Sequence, residues 1–231
     1  MLAWHFLPCD GRLQFGCPRA LVTPGQTLRR DPAKLSMCNY GLHASMKIID
    51  ALQYAPGPIV CRVRLGGKII EGDNKVVASR RTVLWMANAD HELMLFACWS
   101  VRNTPLADGR VVWDLLTDKR SQTAVEVAER YADGLVTNDE LDAARNEAIN
   151  AARDTAWVTL LDAANDPSLA AAYDASRVAA WSAVWSASRG ATWSAAWDAS
   201  RAASVASAWA ASRDAQNAQL EKMLLRIEIV R

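Results

Sequence analysis

Two histidines and a run of basic residues in the first hundred positions have side chains suited to holding a ligand. His5 lies in the apolar run LAWHFL (2–7), and His43 in GLHAS (41–45). A His after Gly-Leu, at a strand end that faces a helix N-terminus, suits an anion or nucleotide contact. Ser45 and Tyr54 flank the helix that would follow, so His43, Ser45 and Tyr54 form the candidate ligand set. The bland alternative is a turn with a hydrogen-bonded His. Arg62, Arg64, Lys68, Lys75, Arg80 and Arg81 make a basic strip against Glu71 and Asp73. Such a strip suits phosphate or nucleic acid. More often such charges form a solvated strand face or, here, a docking surface for the acidic helical half.

Other chemistry finds little support. There is no P-loop, no G-x-G-x-x-G, no H-E-x-x-H and no G-x-S-x-G. GDNK (72–75) reads as a turn, without the regular acidic spacing of an EF-hand. His5, Cys9, Cys17, Cys38 and His43 are irregularly spaced and no C-x-x-C occurs, so no metal and no cofactor are expected. All five Cys fall within the first hundred residues. Their odd number and unpaired spacing read as free thiols in a reducing, cytoplasmic compartment. MLAWHFLPCDGRL lacks the features of a signal peptide. No apolar run reaches the ~18 residues that span a bilayer, so no membrane partner is expected.

The elements that must position these residues divide the chain in two. Residues 1–105 read as a small strand-rich α+β domain, 106–120 as a linker and 121–231 as an all-α helical tail. LAWHFL fits a strand followed by a turn. MKIIDALQYA (46–55) fits a short helix with Ser45 as N-cap, stopped by Pro56-Gly57-Pro58. IVCRVRL (59–65) alternates, with Ile59, Cys61, Val63 and Leu65 on one side and Arg62 and Arg64 on the other, which predicts a half-buried strand. Gly66-Gly67 reads as the hairpin turn after it. VVASRRTVLWM (76–86) has no clear assignment, and HELMLFACWSVR (91–102) reads as helix. Further on, 124–134 is a short helix ended by Gly134. Residues 138–165 form an Ala-rich helix capped by Asn138 or Asp139, and a last helix runs to about Arg226.

That last segment carries an internal repeat. ASR recurs at 175–177, 187–189, 199–201 and 211–213, a period of 12, and large residues fall every fourth position from Tyr173. A step of four overshoots a helical turn by ~40°. The large residues therefore spiral around a straight helix instead of forming the seam of a left-handed coiled coil. Trp181, Trp185, Trp193, Trp197 and Trp209 would fill gaps between Ala/Ser surfaces, because so many exposed indoles would make an apolar area unusual for a monomer. The partner surface is either the 138–165 helix or another copy, giving a bundle or a right-handed helical assembly. Charge is also divided: residues 1–120 hold 16 Lys+Arg against 10 Asp+Glu, and 121–231 hold 10 against 15. The two parts could attract each other, while the overall charge of +1 excludes a general polycation for nucleic acid.

AWHFL…GRL, CNYGLHAS, DALQYAPGPIVCRVRLGGKI, DNKVVASRRTVLW and LFACW together resemble an uncharacterised domain family of bacteria and their phages, over about residues 2–100. Cys38, Gly41, His43, Asp50, Tyr54, Gly57, Lys75 and Ser79 match its pattern, and Trp4 stands where a Tyr is usual. The Ala-rich tail is similar to those appended to such domains. The resemblance implies a phage or mobile-element context and no particular reaction. More distantly, the order of strand with His, GLHAS, helix and strand resembles ADP-ribosyltransferase-type folds, which implies a dinucleotide pocket lined by His5 and His43. No Glu stands where such enzymes carry their catalytic one, and Glu71 and Glu92 are poor substitutes.

The leading functional reading is non-enzymatic: an interaction or assembly protein whose helical tail associates with itself or with another protein. The alternatives are a nucleotide-binding protein or enzyme using His5 and His43, and nucleic-acid binding through the basic strip.

Overall fold

The computed structural model describes residues 1–15, 19–105, 109–162 and 209–227. The architecture is α+β, with a mixed-length antiparallel sheet first and helices after it. The chain groups into two compact units, Met1–Asp90 with Leu220–Arg231, and His91–Gln219.

In the first unit, β1 (Leu2–Leu7), β2 (Thr27–Arg29), β3 (Leu42–Ala44), β4 (Ile59–Glu71) and β5 (Val76–Asn88) form one sheet in the order β1-β4-β5-β2, with β3 also on β5. Every pairing is antiparallel. Val60 on the opposite face is buried too, but from 61 on the expected alternation holds: Arg64 is exposed, and Cys61, Val63 and Leu65 are buried. These residues join Ala3, Leu28, Leu42, Ala78 and Val83 in the core cluster on one face. Directly opposed residues share a sheet face, so the pairings Ala3 with Val63 and His5 with Cys61 put His5 on that same face. The segment left open by its sequence, 76–86, makes up all of β5 but its last two residues.

Two turn readings change. Gly66-Gly67 is not the hairpin turn. β4 runs on to Glu71 through a register shift between Gly66 and Ile69, and the turn lies at 72–75, where the Gly72 N–H donates to the Lys75 carbonyl over 2.9 Å. Gly67 has φ +73, and a Cβ there would collide with the Ser79 hydroxyl, which accepts from the Lys68 N–H at 2.9 Å. A β-bulge asks for the same left-handed glycine as a tight hairpin, so the dipeptide alone does not separate the two. Ser45 is not a helix cap either. Its backbone exchanges hydrogen bonds with Trp4 at 2.8 and 2.9 Å, linking the end of β3 to β1. Helix α1 (Ile48–Gln53) starts after Lys47, which makes no side-chain cap, and buries Ile48, Ile49, Ala51 and Leu52.

The second unit holds most of α2 (Asp90–Asn103), which starts at the boundary between the units, a 3₁₀ turn (Val112–Leu115), α3 (Lys119–Ala132), α4 (Asn138–Asp162) and the first part of α5 (Trp209–Leu224). Arg102 of α2 makes a two-point ion pair with Glu129 of α3. Gly134 at φ +70 ends α3 with the paired bonds Gly134 N–H to Tyr131 O and Leu135 N–H to Arg130 O. The cap of α4 is Thr137, not Asn138 or Asp139. Thr137 Oγ1 accepts from the Glu140 N–H, and the Glu140 carboxylate accepts from the Thr137 N–H at 2.7 Å. That is the reciprocal capping box which T-N-D-E encodes. Among the described residues, no helix is long and apolar enough to cross a membrane.

Candidate anion-binding cavity

A cavity of about 600 Å³ opens in the first unit, within the range that takes small-molecule ligands. Its wall comes from β1 (Trp4, His5, Phe6), the segment from Cys38 to Ser45, Tyr54 at the end of α1, and three cations, Arg30, Lys75 and Arg81. Among the described residues that line it there is no Asp or Glu. The cavity thus has one sign of charge, which focuses the field on whatever enters.

Arg81 is the most telling of these cations. It lies on β5 opposite Leu65 on one side and Leu28 on the other, both core residues. Register puts its side chain on the apolar face, and it is only 2% exposed. Nη1 donates to the His43 carbonyl at 2.7 Å. Nε is buried and meets no acceptor among the described residues. Burial draws its pKa down to about 10, the Cys61 side chain opposes this, and Arg30 adds to the lowering. The guanidinium therefore stays charged at neutral pH, and the described residues that share its cavity include no carboxylate.

The two histidines come together here. Burial lowers the pKa of His5 well below the usual value, and Arg81 and His43 push it further the same way. His43 is lowered first by burial and then by Lys75 and Arg81, while its hydrogen bond with the Gly41 backbone acts in the opposite direction. His43 Nε2 accepts the Cys38 N–H at 3.1 Å, so at neutral pH that nitrogen carries no proton. The imidazole is committed to holding the 38–43 turn, where Cys38 has φ +64 and Gly41 φ +138. A Cβ on Gly41 would run into Val77 and Leu35. Tyr54 donates to Asn74 at 2.9 Å, Asn74 donates to Gln53 at 3.2 Å, and the Lys75 ammonium lies 4.7 Å from the Tyr54 ring centre. Ser45 is buried in the wall.

The basic strip does not stay together. Successive strand residues point to opposite faces, so Arg80 is exposed while its neighbour Arg81 is interior. Arg62 lies over the Trp4 ring at 4.3 Å. Arg64, Lys68 and Arg80 remain exposed, and Lys75 joins Arg81 at the cavity. Of the assembly residues, Trp209 opens α5, while Trp181, Trp185, Trp193 and Trp197 lie outside the described residues, as does Cys17. Among the described residues, no group of three or more His, Cys, Asp or Glu could hold a metal ion. Sequence reasoning gave no ligand role to Cys38, Tyr40 or Arg30, which the fold brings to the cavity from loops. Cys38 is marked only by the family resemblance, and no local pattern marks Tyr40 or Arg30.

No family model, no curated protein and no solved structure matches the chain. Its functional reading accordingly rests on the cavity itself and on the quoted motifs.

Proposed function

We propose that the first unit binds a small anionic ligand of nucleotide type, with Arg81 as the interior anion contact and Lys75 and Arg30 as outer ones. The observation that carries this is the buried Arg81 guanidinium. A buried ion without a counter-charge is costly, and an isolated one is strongly disfavoured. Its retention on an apolar sheet face beside a cavity lined by no acid is accounted for by a ligand that supplies the negative charge. In this reading His5 and His43 shape the cavity as neutral rings, and the unit is a binding module, not a catalyst of proton transfer.

Calorimetry tests this with NAD, a 2′-phosphorylated nucleotide and inorganic pyrophosphate. At least one should bind, and Arg81→Met should abolish the heat. Absence of binding by all three overturns the proposal. DNA association that falls steeply with salt and survives Arg81→Met would instead favour a surface site at Arg64, Lys68 and Arg80.

A second reading concerns the tail. Its 12-residue repeat of Trp and Arg supports self-association or capture of another protein, as a phage-type interaction protein would need. The two readings are compatible: a tail that gathers copies would present several ligand-binding units.

A further inference from the structure

Four cysteines are free among the described residues, and their surroundings differ sharply. Cys61 and Cys98 are buried, and burial pushes both thiols up to about 12. They are inert core groups. Cys9 and Cys38 are exposed, but only Cys38 lines the cavity that holds Arg81. Lys75 lines the same cavity as Cys38, and the Cys38 side chain is the largest influence raising the Lys75 pKa. A neighbouring cation and partial exposure are what reactive cysteines share, since the thiolate is the nucleophile.

The backbone holds the sulfur in place. Cys38 is the one described non-glycine residue with positive φ, and its N–H is tied to His43 Nε2. Lys75 is held in turn against the Tyr54 ring. A second, independent feature points to a ligand in the same cavity: Arg81 lines it too, with its Nε buried and without an acceptor among the described residues.

We propose that Cys38 is a nucleophile for small electrophiles that carry an anionic group, which Arg81 holds; the inference rests on the anion-binding reading above. The step is a substitution at carbon. The thiol proton leaves to water and Lys75 stays an ammonium. The Cys38 sulfur forms a bond to the electrophilic carbon, and the leaving group departs with the electron pair of the bond that breaks. His43 is not the base, because its Nε2 already accepts a backbone proton.

Labelling of the full-length protein tests this, with Cys9 as an internal control and mass spectrometry as readout. Iodoacetate is the anionic electrophile and iodoacetamide its neutral counterpart. Field focusing in a cleft of one charge raises local ligand concentration by a factor of about 10 or more. Cys38 should therefore react with iodoacetate about tenfold faster than Cys9, and the preference should shrink with iodoacetamide. Inorganic pyrophosphate should protect Cys38 alone, and Lys75→Met, a change at the surface, should slow it. Pyrophosphate binding by calorimetry together with Cys38 no faster than Cys9 overturns the nucleophile and leaves the anion cavity standing. Fast labelling by both reagents alike, without pyrophosphate binding, overturns the anion cavity and the selectivity with it.

Discussion

A single arginine separates a ligand site from a structural peg at the residue scale. If Arg81 served only to brace the His43 carbonyl, removing it would cost stability, because a hydrogen bond from a charged donor contributes about 1.5–3 kcal/mol. If it awaits an anion, the ligand-free protein carries an uncompensated buried charge. Replacing such a charge with an apolar side chain of similar length removes its burial cost, which offsets the lost bond to the His43 carbonyl. Arg81→Met should therefore keep or raise the urea midpoint while losing anion binding. A urea midpoint lowered by an amount equivalent to about 2 kcal/mol would assign Arg81 to the architecture instead. The neutral histidines make a parallel statement. His5 and His43 have lowered pKa values in the folded protein, so the unfolded chain takes up protons first as pH falls. Their contribution to stability is present above the unfolded value of about 6.5 and is lost as pH falls through the folded values. Acidification from pH 7 to 5 should destabilise the first unit, and His43→Gln should flatten that slope. An unchanged slope would show that burial of His43 is not what the titration reads.

At the scale of elements, the opposite sign appears in the second unit. His91 near the start of α2 contacts Asp133 just after α3 at 3.2 Å, and Glu92 at 3.4 Å. The Asp133 hydrogen bond is the main cause of a raised His91 pKa. A raised folded value means the clasp stabilises fully below the unfolded pKa near 6.5 and fades as pH rises through the folded value. His91 is about half exposed, so solvent screening keeps the effect to a few tenths of a kcal/mol. His91→Gln should be slightly less stable than the parent at pH 5.5 and equal to it at pH 8.5, by chemical denaturation. A difference that grows with pH would refute the clasp. The sequence made some elements legible and hid others for physical reasons. Period-two alternation marked β4, and length with apolar spacing marked α2. Gly66-Gly67 misled because a bulge and a hairpin turn need the same backbone freedom, and Ser45 misled because a cap and a bridge residue share a composition. Thr137 could have been found, since its capping box is local. Arg81 could not be told from Arg80 until the strand's register was known, and Lys75 and Cys38 share one cavity only because a hairpin end meets a loop 37 positions earlier. The cavity therefore became visible only with the fold.

For the whole molecule, the unresolved question is what the tail's tryptophans cover. Read as a helix from sequence, residues 173–213 move their large side chains through about 400° of rotation, one step of ~40° at a time. A single neighbouring helix covers one side of a cylinder, roughly a ridge and its adjoining grooves. The 138–165 segment alone would leave most of the spiral facing water, and an apolar surface of that extent marks an interaction site. Copies of the chain can cover it on several sides. The excess of acid in residues 121–231 and of base in 1–120 also favours contacts between unlike parts of neighbouring copies. Light scattering on the full chain should therefore give a defined oligomer. The quadruple variant Trp181→Ala, Trp185→Ala, Trp193→Ala and Trp197→Ala should give a monomer that still binds pyrophosphate, because Arg81 and its cavity lie in the first unit. A parent that is already monomeric would mean the indoles pack within one chain, and the tail would then be scaffold for the unit that holds Arg81. An oligomer that persists in the quadruple variant would place the association surface elsewhere, with the exposed Arg64, Lys68 and Arg80 face as the next surface to alter.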